Sequence, residues 1–304
     1  MHPILTELLS KGPVITDGAW GTELQKAGMP LGEFPDAWNL KAPDRVGAVA
    51  RAYVQAGSRV ILTNTFGANR LRLADAGLVD QVAAINTAGV QISKAAAAGR
   101  ALVFASMGPS GKMLLTGEVT PVMLREAFAE QARILAAAGA DGLVVETMAD
   151  LSEARAAVEA AKETGLPVVA CMVYDSGRLK DRTMMGTRPE EAANALAQSG
   201  ADVIGANCGQ GVEGFVAIAG RLRAATSLPV WIKANAGLPE YVDGNAVYRT
   251  TGEQFASFLE PLIMAGADFV GGCCGTRPEF VAELSRALAT LPPKGGIDGR
   301  GPAH

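Results

Sequence analysis

Three of the four cysteines in this 304-residue chain stand beside glycines at the ends of apolar runs, where side chains are placed for chemistry rather than packing. Cys208 closes Gly205-Ala206-Asn207-Cys208, and Cys273 and Cys274 lie in Gly271-Gly272-Cys273-Cys274-Gly275-Thr276. The fourth, Cys171 in Val169-Ala170-Cys171-Met172, reads as a small core hydrophobe. The two histidines, His2 and His304, stand at opposite chain ends, so no imidazole is at hand as base or ligand. The chemistry falls to thiols, carboxylates, hydroxyls and backbone groups. Three thiolates without histidine leave a zinc ion one open position, which is the catalytic arrangement. The same residues also fit a vicinal redox couple, a glycine-rich phosphate cradle after a last strand, or plain structure. The residues alone leave these readings open.

The elements that must position the cysteines follow from periodicity. Short β-branched runs recur at 14–16, 59–64, 102–107, 142–147, 168–172, 203–208, 230–234 and 269–274, separated by alanine-rich stretches with helical apolar spacing. Apolar strands alternating with helices predict a parallel sheet covered by helices. A weak repeat, Ala56-Gly57-Ser58, Ala138-Gly139-Ala140-Asp141, Ser199-Gly200-Ala201-Asp202 and Ala265-Gly266-Ala267-Asp268, ends helices with a left-handed glycine and leads into strands. These helix-to-strand links are short. The strand-to-helix links at 17–42, 108–120, 174–188 and 236–251 are long and polar. That asymmetry predicts an α/β fold, a (β/α)8 TIM barrel with its chemistry at the C-terminal ends of the strands; a doubly wound open sheet is the competing reading. One domain is expected over 1–292, with 293–304 as a mobile C-terminal tail.

In such a barrel the sixth and eighth strands are next-nearest neighbours, about 10 Å apart, a gap that two inward cysteines and a metal can span. Adjacent residues of a regular strand face opposite ways. Cys273 and Cys274 therefore share one ion only where the strand is ending, with Gly271, Gly272 and Gly275 supplying backbone freedom.

Composition bounds the function class. With 49% hydrophobic residues the chain has enough for a large core, and at a net charge of −4 with no basic stripe it has no footprint for nucleic acid. No apolar stretch is long enough to span a membrane and no signal peptide opens the chain, so a soluble, cytoplasmic protein is expected.

From about residue 14 to about residue 291, the sequence resembles the homocysteine S-methyltransferase family. The two cysteine motifs carry the likeness, supported by Asp17-Gly18-Ala19-Trp20-Gly21-Thr22-Glu23, Thr63-Asn64-Thr65-Phe66-Gly67-Ala68 and Ser106-Met107-Gly108-Pro109. The resemblance implies that Cys208, Cys273 and Cys274 bind Zn2+, and that Asp17 and Glu146 hold the amino group of homocysteine. Both acids end strands at the barrel mouth, and an ammonium wants paired carboxylates. Asn64, Ser106 and Asn207 end strands at the same mouth, placed to bind substrate or to orient a thiolate. The implied reaction methylates homocysteine to methionine. Within the family, Asp36-Ala37-Trp38-Asn39-Leu40-Lys41-Ala42-Pro43 is most similar to the homocysteine-binding module of cobalamin-dependent methionine synthase, so methylcobalamin on a separate corrinoid protein is the expected donor. Betaine, a methylsulfonium or S-methylmethionine are the alternatives; Gly67 and Thr147 stand where betaine enzymes carry tyrosines. Readings of other classes are a non-catalytic zinc- and homocysteine-binding subunit, and an aldolase-type barrel using Lys112, Lys180 or Lys233.

Overall fold

The computed structural model describes residues 1–242 and 245–292; the tail expected at 293–304 lies outside the described residues. Among the described residues ten strands are formed: β1 (Val14–Ile15), β2 (Val60–Ile61), β3 (Leu102–Met107), β4 (Gly142–Met148), β5 (Val168–Met172), β6 (Val203–Gly211), β7 (Val230–Asn235), the antiparallel pair β8 (Glu240–Val242) and β9 (Asn245–Val247), and β10 (Phe269–Gly272). Eight of them form one parallel sheet in the order β1-β10-β7-β6-β5-β4-β3-β2. A parallel bridge between Thr16 and Val60 joins its two ends, with the Arg59 amide donating to the Ile15 carbonyl at 2.8 Å. The sheet is thus the (β/α)8 barrel expected from the strand and loop pattern, with helices outside it. Among the described residues no helix is long and apolar enough to cross a membrane.

Strand alternation sorts the interior by height. Val14, Val60, Phe104, Val144, Val169, Val203, Trp231 and Phe269 point inward and pack into one buried cluster. Trp231 lies between Phe104 and Phe269, with ring centroids 6.3 and 5.0 Å away. The helix Pro3–Leu9 adds Leu5 and Leu8 to the same cluster, sealing that end of the barrel. Further along the strands the inward positions turn polar, all of them buried: two residues on at Ser106 on β3, Glu146 on β4 and Lys233 on β7, and four residues on at Asn207 on β6. The outward-facing alternates, such as Val103, Val145, Ile204 and Ile232, pack against the helices in the main core.

The helix-to-strand repeat does more than end helices. Gly57, Gly139, Gly200 and Gly266 all have φ between 98° and 106°, a conformation that disfavours a side chain. The aspartate that follows in three of the repeats fixes register. Asp141, Asp202 and Asp268 accept from amides at the start of the neighbouring barrel strands β3, β5 and β7, those of Val103, Val168 and Val230, at 2.8, 2.9 and 3.0 Å. Each also meets a basic residue from a helix end, Lys94, Lys162 or Arg223.

Candidate metal centre

Cys208 lies within β6, where register with β7 shifts between Asn207 and Gly211. The irregularity gives Cys208 a left-handed backbone, with φ of 63°. Cys273 and Cys274 follow β10, so the strand has ended before the vicinal pair, as sharing an ion requires. Their backbone is fastened to β7: the Cys273 amide donates to the Ala234 carbonyl at 2.7 Å, and the Ala236 amide to the Cys274 carbonyl at 2.9 Å. Gly275 supplies the expected left-handed turn, at φ 78°. Gly271 and Gly272 serve differently: they supply room, not a positive φ. A Cβ at Gly271 would overlap Thr16 and lie 2.6 Å from the Asp17 carbonyl; at Gly272 it would overlap Thr276.

The three sulfurs lie within 4.8 Å of one another, with 3.8 Å between Cys208 and Cys274. Two sulfurs bound to one tetrahedral zinc at about 2.3 Å each stand roughly 3.8 Å apart, so the donor set fits the ion. The thiols share their protons unequally. Hydrogen bonds from Cys273 and then Cys274 hold the Cys208 thiol well below its ordinary range. Cys273 and Cys274, hydrogen-bonded to Cys208 and buried, are pushed up. A cation reverses that cost for all three.

The cysteines line a cavity of about 430 Å³, together with Trp20, Phe66, Glu146, Thr147 and Lys233. Glu146 is held by two donors: Ser106 Oγ at 2.5 Å on Oε1 and Asn207 Nδ2 at 3.2 Å on Oε2. Burial raises its pKa against the opposing pull of Lys233 and Ser106. Asn207 links the parts of the site. It accepts from the Thr147 amide at 2.7 Å, donates to Thr147 Oγ1 at 2.7 Å, and reaches toward Cys273 Sγ at 3.9 Å. Thr147 itself has φ of 60°, a costly conformation for a β-branched residue.

Of the residues expected at the site, Asp17, Asn64, Ser106 and Asn207 are not among those lining the cavity; Ser106 and Asn207 act on it through Glu146, whereas Asp17 and Asn64 do not touch that carboxylate. Asp17 is wholly buried and saturated. Its Oδ2 accepts from Trp20 Nε1 at 2.8 Å and the Leu62 amide at 2.7 Å, and its Oδ1 is ion-paired with Lys233. Asn64 donates to the Pro35 carbonyl at 2.7 Å and to Asn39 Oδ1 at 3.0 Å, bracing the loop that carries those residues. Cys171 is buried in the interior cluster, as a core residue.

Lys233 has a different place from that of a Schiff-base lysine. Burial opposes its charge, but Asp17 and Glu146 outweigh burial and raise its pKa, so the amine stays protonated and is no nucleophile. The one signal in the sequence was a cation inside the apolar run Val230-Trp231-Ile232-Lys233-Ala234. Trp20, Phe66 and Thr147 carried no such signal as cavity residues. Trp38, in the motif similar to the methionine synthase module, is buried against Glu33, with Nε1 to Oε2 at 2.8 Å.

Comparison with known proteins agrees with this geometry. The family model for homocysteine S-methyltransferases matches residues 14–288. The methionine synthases of Mycobacterium tuberculosis and Mycobacterium leprae are each 30% identical over 94% of this chain. The chain spans 25% of the length of either of those relatives. Among solved structures, the metallated form of the homocysteine methyltransferase MmuM from Escherichia coli superposes with a TM-score of 0.78 at 25% identity, covering 94% of this chain and 99% of that one. The carboxyl transferase domain of Rhizobium etli pyruvate carboxylase shares the fold alone, with a TM-score of 0.53 at 14% identity. With a matching model over nearly its whole length and a cluster of three cysteines at the mouth of its barrel, the chain belongs to the homocysteine S-methyltransferase family.

Proposed function

We propose that this protein transfers a methyl group to the sulfur of homocysteine, forming methionine, with Zn2+ held by Cys208, Cys273 and Cys274. The observation that carries the reading is the meeting of three sulfurs within 4.8 Å on the wall of a cavity that also exposes Glu146. A bound zinc ion would supply the positive charge that keeps the acceptor's sulfur deprotonated near neutral pH. The chain's own residues do the rest. Glu146, oriented by Ser106 and Asn207, faces the cavity as the carboxylate for the substrate's ammonium. Asp17 acts from behind Lys233, and Asn64 through the loop it braces. Trp20 and Phe66 provide apolar wall beside the sulfurs, which restricts water where the methyl arrives. In the transfer a sulfur–carbon bond forms from a sulfur lone pair. The donor–methyl bond breaks with its electron pair staying on the donor, and the thiol proton leaves to solvent.

The expected donor is methylcobalamin carried by a separate corrinoid protein. Its support is the likeness to methionine synthases over only a quarter of their length. Cys208→Ala tests the metal reading: the variant is expected to lose both bound zinc and methionine formation, and a zinc-free variant with full activity overturns it. A donor panel with the zinc-loaded protein tests the rest. Turnover with a methylated corrinoid protein, and none with betaine, dimethylsulfonium compounds or S-methylmethionine, is expected; the converse reassigns the donor.

A further inference from the structure

Glu146 and Lys233 line the cavity with Asp17 buried behind them, and the pairing of the three bears on which thiol the site accepts. Lys233 follows Trp231 by two residues on β7, so it faces into the barrel directly above the aromatic plug. It is 2% exposed, its ammonium is ion-paired with Asp17 Oδ1, and it lines the cavity, whereas Asp17 does not. The other Asp17 oxygen is taken by Trp20 and Leu62. An amino-acid substrate entering from the mouth therefore meets one carboxylate, Glu146, and one cation, Lys233. Of the two carboxylates expected to hold an ammonium, Asp17 is occupied by a side chain of the protein itself.

The geometry points to Lys233 as the residue that sets acceptor specificity: its ammonium occupies Asp17 in place of the substrate's amino group, so only Glu146 is left to hold that group and the site takes des-amino mercapto acids as well as homocysteine. This inference rests on the methyltransferase reading above and narrows its substrate class. The chemistry of the reaction is unchanged. The methyl goes to sulfur, the donor keeps the electron pair, and Lys233 neither gains nor loses a proton. Lys233 is a positioning residue, acting through Asp17.

A pocket built to hydrogen-bond one group of its substrate rejects the analogue lacking that group by about 10⁴–10⁵-fold. Here the loss of the amino group is expected to cost far less. The test is calorimetric binding of homocysteine and of 4-mercaptobutanoate, the same thiol acid without its amine, to the zinc-loaded protein. It is repeated with methionine and 4-(methylthio)butanoate on metal-free protein, where sulfur–metal bonding plays no part. A preference for the amino compound below roughly 100-fold in both series supports the inference, and a larger one overturns it. In Lys233→Met the freed Asp17 oxygen becomes available to the substrate's ammonium, so the preference for homocysteine is expected to rise at least tenfold; an unchanged or reduced preference overturns the inference. A merely structural lysine would weaken both ligands together. Should K233M fail to fold, the wild-type ratios alone decide. Failure of both thiols to bind zinc-loaded protein overturns the methyltransferase reading as well, an outcome separate from a high ratio.

Discussion

Asn207→Ala tests the construction of the site at its most connected residue. Asn207 is wholly buried and satisfies three groups at once: the Thr147 amide, Thr147 Oγ1 and Glu146 Oε2. Alanine leaves the amide and the carboxylate oxygen without these partners. Each stranded group costs about 1–3 kcal/mol when buried, and the hydroxyl can rotate to another partner. Thr147 is partly exposed, so water recovers part of the loss, and a total near 3 kcal/mol is expected. The left-handed Thr147 also loses the bonds that hold it, so Glu146 and the neighbouring sulfurs lose their fixed positions. Removal of such supporting partners typically weakens metal binding by about 10–100-fold. Urea unfolding of metal-free protein reads the first quantity, and competition for zinc with a chromophoric chelator reads the second. A variant within about 0.5 kcal/mol of wild type that binds zinc with unchanged affinity would refute Asn207 as the keystone.

Three further outcomes are expected. Asp36 is buried beneath the Gly67 amide, and burial raises its pKa from 3.8 to about 7. The folded state thus holds a proton that the unfolded chain releases: stability is full below pH 4 and is lost as pH rises through 7, by up to about 4 kcal/mol. Asp36→Asn should remove that loss, so its advantage over wild type grows from pH 5 to pH 8 in thermal unfolding; a gap independent of pH contradicts the assignment. Gly205→Ala would place a Cβ 2.7 Å from Cys171 Sγ and into the Trp231 carbonyl, costing about 1–3 kcal/mol by overpacking; calorimetry showing wild-type stability would rule out that contact. Cys171→Ala should cost roughly 1 kcal/mol in unfolding free energy and leave zinc content by elemental analysis untouched, whereas loss of metal would make Cys171 a ligand.

Much of this was legible in the sequence because it depends on local pattern. The runs at 102–107 and 168–172 are strands over the full expected range, being apolar but for Ser106 and paired on both sides. The first two strands are shorter than their β-branched runs suggest, at two residues each. The reason is a side chain: Asp17 Oδ2 takes the Leu62 amide that would otherwise extend the ladder. The cysteine cluster could be read from the ends of strands, since barrel topology brings those ends together. What could not be read is pairing across the barrel. Lys233 and Asp17 are 216 residues apart, and nothing near either one reveals that they neutralise each other. The aspartates of the helix-to-strand repeat are a similar case: their recurrence is plain, but their acceptor role needs the register of the neighbouring strand.

The aromatic plug of Phe104, Trp231 and Phe269, sealed below by Leu5 and Leu8, closes the barrel beneath the cavity, so reactants enter from the barrel mouth. Two reactants must pass that opening, and the one bound to the sulfurs lies deeper. On the proposed reaction, compulsory-order kinetics are expected: the thiol loads before the methyl donor docks, and the methylated product escapes only after the spent donor has withdrawn. Excess donor should then inhibit by capping the thiol-free cavity, a pattern that initial-rate measurements at varied concentrations of both reactants would display.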